Sequence, residues 1–405
     1  MNKGLTDTKD KTRCRFLFML ALFAIPCVLR YFTGEMNAQN TTVFAFSYKY
    51  GFISRGLMGT IWKVLDKILP FDLMNFDSIQ MFSGIATIVF FIVLFAFYNT
   101  CLKLCEDKNY RRIEYLICFL SVFIFPMFVT LECFGRLDVY LMILTLICCI
   151  LLVKDKWEWM IIPIVTICVI MHHGYVFMHL NIVLVLLFYK ILMNAEKRKK
   201  YITIFAFTFV IASILFLYFE FFSHPEGEGI FDEIVSLSMA LSMDGASYSE
   251  SMVFHEILGL DIYDLEEMCH VMNRKETPFF MLFFCIYPII GLHFLIKLFK
   301  GKTTVEKWAY FAVGVGSLTI LPQVILKVDF GRYVFATFFY YITIVICLIV
   351  MKDKNVIKQL EDTIEVVKNK IPAAKLLIVY PMMFMPFLDV HISYISYRLY
   401  TLLGI

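Results

Sequence analysis

Charge is scarce in this chain. Asp, Glu, Lys and Arg supply 18% of its 405 residues, against about a quarter in a soluble domain. Hydrophobic residues reach 60% and mean hydropathy is +0.76, which excludes a soluble globular chain, a disordered chain and a nucleic-acid binder. The Gly-rich P-loop and the dinucleotide fingerprint are both missing, so no inner segment is equipped to consume ATP or a nucleotide sugar. Cysteine is present but unpatterned. Cys101 and Cys105 have no partner pair for zinc, most of the 12 Cys fall in apolar runs, and only Cys133 and Cys269 stand where a disulfide could form. His255-Glu256 has no second ligand at helical spacing, so no metal site is expected, and no cofactor.

What remains is apolar and aromatic, with 43 Phe and 22 Tyr. Apolar stretches of spanning or near-spanning length run at 14–33, 79–99, 114–131, 139–153, 159–171, 175–193, 201–222, 278–298, 306–326, 333–351 and 376–390. At about 20 residues per span they use over half the chain. The expected fold is all-α: a polytopic transmembrane bundle of about 11 spans, one integral membrane domain over 1–405, with a short pair open to being re-entrant.

The basic residues set the expected orientation. The leader carries Lys3, Lys9, Lys11, Arg13 and Arg15, which holds the N-terminus in the cytoplasm. Alternating sides from there puts 26 of the 37 Lys and Arg on the inner face, as the positive-inside rule requires. Arginine breaks the trend: Arg30, Arg55, Arg136, Arg274, Arg332 and Arg398 all fall outside. Lysine alone satisfies insertion, so the outer arginines have another reason to be there. Either they pair with outer carboxylates, or their planar forks take a phosphate.

Two large outer segments are expected, at 34–78 and 223–278. In the first, Gly51 to Leu69 alternates apolar residues with Arg55, Lys63, Asp66 and Lys67, the pattern of a helix lying along the interface. The second, with its acidic stretch, is expected to fold as short helices over the outer mouth. Asn40-Thr41-Thr42 is a formal glycosylation sequon,. The longest inner connection, 352–375, interleaves Val356, Ile357, Leu360, Ile364, Val367 and Ile371 with charge and reads as an amphipathic helix on the inner leaflet. Large loops on one side place the work outside.

Polar clusters gather at the expected outer ends of spans: Ser54-Arg55-Gly56, Phe134-Gly135-Arg136-Leu137-Asp138, His172-His173-Gly174 and Asp329-Phe330-Gly331-Arg332. Ionisable residues at a membrane edge cost free energy unless they are paired or working. Each Arg–Asp turn reads as a salt bridge that steadies its own turn, or as half of an anion site. An outward site without ATP must use a substrate that arrives activated, and a polyprenyl phosphate or pyrophosphate fits. Arg55, Arg136 and Arg332 are the candidate phosphate ligands. Asp138, Glu35 and His173 are the candidate bases for an acceptor hydroxyl, with His172 and Asp329 in support. Loss of transfer without loss of insertion is expected for Arg136→Ala, Asp138→Asn and Arg332→Ala.

This architecture resembles membrane glycosyltransferases of the GT-C type, and also the Wzy-type polymerases that join lipid-linked repeat units of bacterial polysaccharides. The first resemblance implies an acidic catalytic residue in the first outer loop and a second in the next. Glu35, in Gly34-Glu35-Met36-Asn37, stands where that family carries Asp-x-Asp, and Asp138 occupies the second position. The resemblance also implies partners: a polyprenyl-linked saccharide, a saccharide acceptor, the lipid bilayer and other polysaccharide-assembly proteins, in a bacterial plasma membrane. A lipid-linked saccharide transporter or flippase is the alternative from another class. It would use ionisable residues at mid-span, for which His179, Asn181, Glu220 and His293 are available. A non-enzymatic assembly partner is a further alternative.

Overall fold

The computed structural model describes residues 38–106, 109–117, 135–223, 229–242, 286–300, 302–326 and 330–370, with isolated positions between 14 and 36 and at 120. Glu35, Asp329, the 376–390 stretch, Cys133 and Cys269 lie outside the described residues. The fold is all-helical, with no strand among the described residues.

In chain order the helices are α1 (Ala38–Thr42), α2 (Gly56–Ile68), α3 (Phe76–Leu104), α4 (Asp138–Lys154), α5 (Ile161–Met171), α6 (Tyr175–Met178), α7 (Leu180–Met193), α8 (Arg198–Phe221), α9 (Ile230–Ala240), α10 (Ile286–Phe299), α11 (Thr304–Val315), α12 (Leu321–Leu326), α13 (Phe330–Val350) and α14 (Lys354–Lys370). Helix α3 packs along α4, α8 lies against α5 and α7, α11 against α7, and α10 against α14. Asn75 caps α3 by accepting from the backbone N–H of Ser78, and Thr303 with Glu306 closes a capping box on α11,.

Among the described residues, two helices, α3 and α8, are long and apolar enough to cross a membrane. At 1.5 Å per residue, their 29 and 24 residues reach about 44 and 36 Å, beyond the roughly 30 Å of a hydrocarbon core. The other apolar helices are shorter; α5 has 11 residues, about 16 Å. The surface of α8 explains its composition: Ile202, Phe207, Phe209, Val210, Ile214 and Leu217 are all exposed.

Two stretches that read as single spans are broken. The 175–193 run divides at His179 into α6 and α7, and the 306–326 run divides into α11, a 3-10 turn at Gly316–Ile320 and α12. The breaks face each other. Asn181 Nδ2 donates to Gly316 O at 3.1 Å and to Thr319 Oγ1 at 3.0 Å, and Thr319 Oγ1 donates to Phe177 O at 3.1 Å. Tyr340 Oη and Tyr341 Oη donate to the Val313 and Gly314 carbonyls. Side chains thus satisfy the carbonyls that an unbroken helix would have used.

Polar contacts collect at the two ends of the bundle. At one end, Asp155 accepts from Tyr201 Oη at 2.9 Å and pairs with Lys190 and Lys197, while Lys200 reaches Glu158 at 2.8 Å. Here Asp353 accepts from Tyr189 Oη (2.6 Å), Tyr310 Oη (2.9 Å) and the backbone N–H groups of Asn355 and Val356 at the start of α14. Arg112 pairs with Glu361. Asp353 is buried, and its removal strips a helix cap and leaves two tyrosine hydroxyls without their acceptor. Asp353→Ala is expected to lose about 2–4 kcal/mol, measured by denaturant unfolding in detergent.

The opposite end is built from 38–68, Ser223 and 229–242. Thr42 and Ser238 hydroxyls meet at 2.5 Å, Thr41 and Ser242 at 3.0 Å, and Glu233 receives Lys49 Nζ at 2.5 Å and Tyr50 Oη at 3.2 Å. Helix α2 occurs within the 51–69 segment expected to be helical. It presses onto 44–46 so closely that a Cβ on Gly59 would lie 1.8 Å from Phe46 O. Asn40 is buried here, so the formal sequon offers no accessible site for a glycan in the folded chain.

Candidate functional site

Residues from all four clusters singled out in the sequence meet at this second end. Arg55 is the residue before α2, Arg136 and Asp138 open α4, His172 and His173 follow α5, and Arg332 lies in the first turn of α13. Gly135 carries φ +83°, and a Cβ there would lie 2.3 Å from Met36 Sδ. Only glycine fits both the backbone and the space, which sets where Arg136 begins. Arg55 has φ +61°, a left-handed backbone that costs a non-glycine residue about 1–2 kcal/mol. Such strain gathers at functional sites.

One Arg–Asp pair joins two of these turns. Arg332 Nη2 lies 3.1 Å from Asp138 Oδ1 and 3.0 Å from Oδ2, across 194 residues of sequence. Asp138 is buried at 3% exposure, and its Oδ2 makes no hydrogen bond among the described residues. The charges of Arg332 and Arg136 bear on it. Asp138 is thereby placed to hold the Arg332 guanidinium, which changes the expectation for both residues: breaking a buried pair lowers stability as well as activity.

His172 is the point on which the arginines converge. Burial drives its pKa well below the ordinary histidine value, and the charges of Arg55, His173, Arg332 and Arg136 push in the same direction. The charges of three guanidinium groups from distant parts of the chain thus bear on one imidazole. The backbone N–H of Gly174 donates to His172 Nδ1 at 3.2 Å, so that nitrogen carries no proton. The His172 and His173 rings meet edge to face at 5.6 Å.

This neutrality sets a pH dependence. A folded pKa below the unfolded one gives stability that is present above about pH 6.5 and lost as pH falls below it. The melting temperature is expected to drop between pH 7 and pH 5, with a shallower drop in His172→Asn.

His173 is more accessible, its side chain 21% exposed. Its Nδ1 lies 2.5 Å from Ser54 Oγ, and its Nε2 lies 3.7 Å from Glu220 Oε2 at the end of α8. Ser54 and Glu220 complete a group that no local spacing announced, since Ser54 and His173 are 119 residues apart. Among the described residues, no group of three His, Cys, Asp or Glu side chains could hold a metal ion. Comparison with family models, curated proteins and solved structures finds no match to this chain.

Proposed function

We propose that this chain is a multi-pass plasma-membrane transferase of a bacterial cell that moves a glycosyl group, on the outer face, from a polyprenyl phosphate or pyrophosphate to a saccharide acceptor. The observation that carries this reading is that the charges of Arg55, Arg136 and Arg332, which stand in three separate turns, all bear on the buried His172. Such a concentration of positive charge suits a phosphate that gains charge as its bond to the sugar breaks. Arg55 and Arg136 are partly exposed and would receive the phosphate. Arg332 is held by Asp138 and would add to the field.

His173 is the better-placed base for the acceptor hydroxyl, being more accessible than Asp138 and backed by Glu220. The membrane topology has its own support. Each ion pair or hydrogen bond described at the two ends joins segments that the charge distribution assigns to the same side. The inner network links 112, 155–158, 190–201 and 353–361; the outer one links 41–55, 138, 173, 220–223, 233–242 and 332.

The test is chemical. Purified protein mixed with a polyprenyl-pyrophosphate-linked oligosaccharide should give a product with a new glycosidic bond, seen by mass, with added sugar units where transfer repeats as in a polymerase. Movement of the lipid-linked sugar across a vesicle without any new bond would overturn the reading. It would favour the transporter, for which the paired helix breaks around His179 and Asn181 speak, because broken helices bonded to each other are how carriers build binding sites within the bilayer.

A further inference from the structure

The Ser54–His173–Glu220 group goes beyond glycosyl transfer, which needs no nucleophilic serine. Three separate elements bring it together: the strand of loop before α2, the turn after α5 and the last turn of α8. Each is tied down. The Phe52 ring packs on Tyr218 at 5.5 Å and on Phe219 at 5.1 Å, and the Ser54 backbone N–H donates to Ser223 Oγ at 3.1 Å. The His173 ring lies against Phe216, one turn before Glu220, at 6.2 Å. Serine, imidazole and carboxylate therefore stand in the order nucleophile, base and orienting group, at 2.5 Å and at ion-pair distance, 3.7 Å,. The strained Arg55 follows immediately and the 13-residue helix α2 begins one residue later, so the serine stands just before a cationic residue and the positive end of a helix.

We infer that Ser54 is an acyl-accepting nucleophile, activated by His173 and Glu220, and that this end of the molecule takes carboxylic esters. Ser54 Oγ attacks the ester carbonyl carbon and its proton passes to His173 Nδ1, while the carbonyl electron pair moves onto oxygen beside Arg55. The tetrahedral adduct collapses, the C–O bond to the leaving alcohol breaks, and His173 returns the proton to that alkoxide. The acyl group remains on Ser54 as an ester. An acceptor hydroxyl, from water or a sugar, then attacks the acyl carbon. Its proton goes to His173 and on to Ser54 as the serine departs. Glu220 faces the imidazolium formed in each half. The net change is hydrolysis or transfer of one acyl group, with no oxidant or metal required.

The probe is an alkyl fluorophosphonate, applied to the full chain in detergent. It phosphonylates an activated serine with loss of fluoride and needs no lipid-linked sugar, so its outcome is independent of the transferase reading. Ser54 is expected to carry the adduct, located by peptide mass. Labelling should vanish in Ser54→Ala, slow by about 10²–10⁴ in His173→Ala, and slow by a smaller factor in Glu220→Gln. The melting temperature checks that each variant is folded; if His173→Ala does not fold, His173→Gln replaces it. Folded wild-type protein that leaves Ser54 unlabelled overturns the proposal, as does a His173 variant that labels Ser54 at the wild-type rate.

Discussion

Arg332→Ala and Asp138→Ala are each expected to lose about 3–5 kcal/mol of folding stability, because either change strands a buried charge. The double variant should lose clearly less than the sum, with a coupling above about 1 kcal/mol, read from unfolding in detergent. Asp138 is 4% exposed in its side chain and Arg332 14%, so water has little access to either group. The pair also joins the first residue of α4 to the first turn of α13, and both helices run from the candidate site to the far end of the bundle. Simple additivity of the two losses would show that the contact contributes nothing to the fold, and would return Asp138 to the role of a free base.

The second large effect concerns activity. Arg136→Ala should lower glycosyl transfer by about 10²–10³, the usual consequence of removing one group that stabilises charge in a transition state, while the protein still folds. Arg136→Lys should recover only part of this, since an ammonium keeps the charge and gives up the planar fork. Arg55 offers a complementary reading. Glycine accepts its φ of +61°, so Arg55→Gly should melt no lower than Arg55→Ala while transfer is lost in both. Full transfer in the Arg136→Ala and Arg55→Gly proteins would remove the phosphate-binding role.

The all-helical class was legible in composition, and helix positions followed from local pattern. The stretches 79–99, 139–153 and 333–351 correspond to α3, α4 and α13, and the 352–375 amphipathic segment contains α14. A hydropathy window averages over about a span, so it passed over the breaks at His179 and Gly316, where apolar residues continue but the backbone does not. The individual site residues were visible as ionisable groups in short Gly-bearing turns. Their partners were not. Reading by turn couples Asp138 with Arg136, whereas the ion pair seen at Asp138 comes from Arg332, 194 residues away. Ser54 and Glu220 became informative only once α2 and α8 were brought to the same histidine, a contact that depends on tertiary packing.

Helix α7 carries Asn181 near one end and Tyr189 with Lys190 near the other. It therefore serves as a ruler between the helix breaks and the Asp155 and Asp353 networks. One inserted residue would advance everything beyond it by about 1.5 Å and turn it by about 100°, rotating Tyr189 and Lys190 off their acceptors if Asn181 stays bound to Gly316. Natural length variation in relatives of this chain should accordingly spare residues 181–190 and fall instead in the connections between helices.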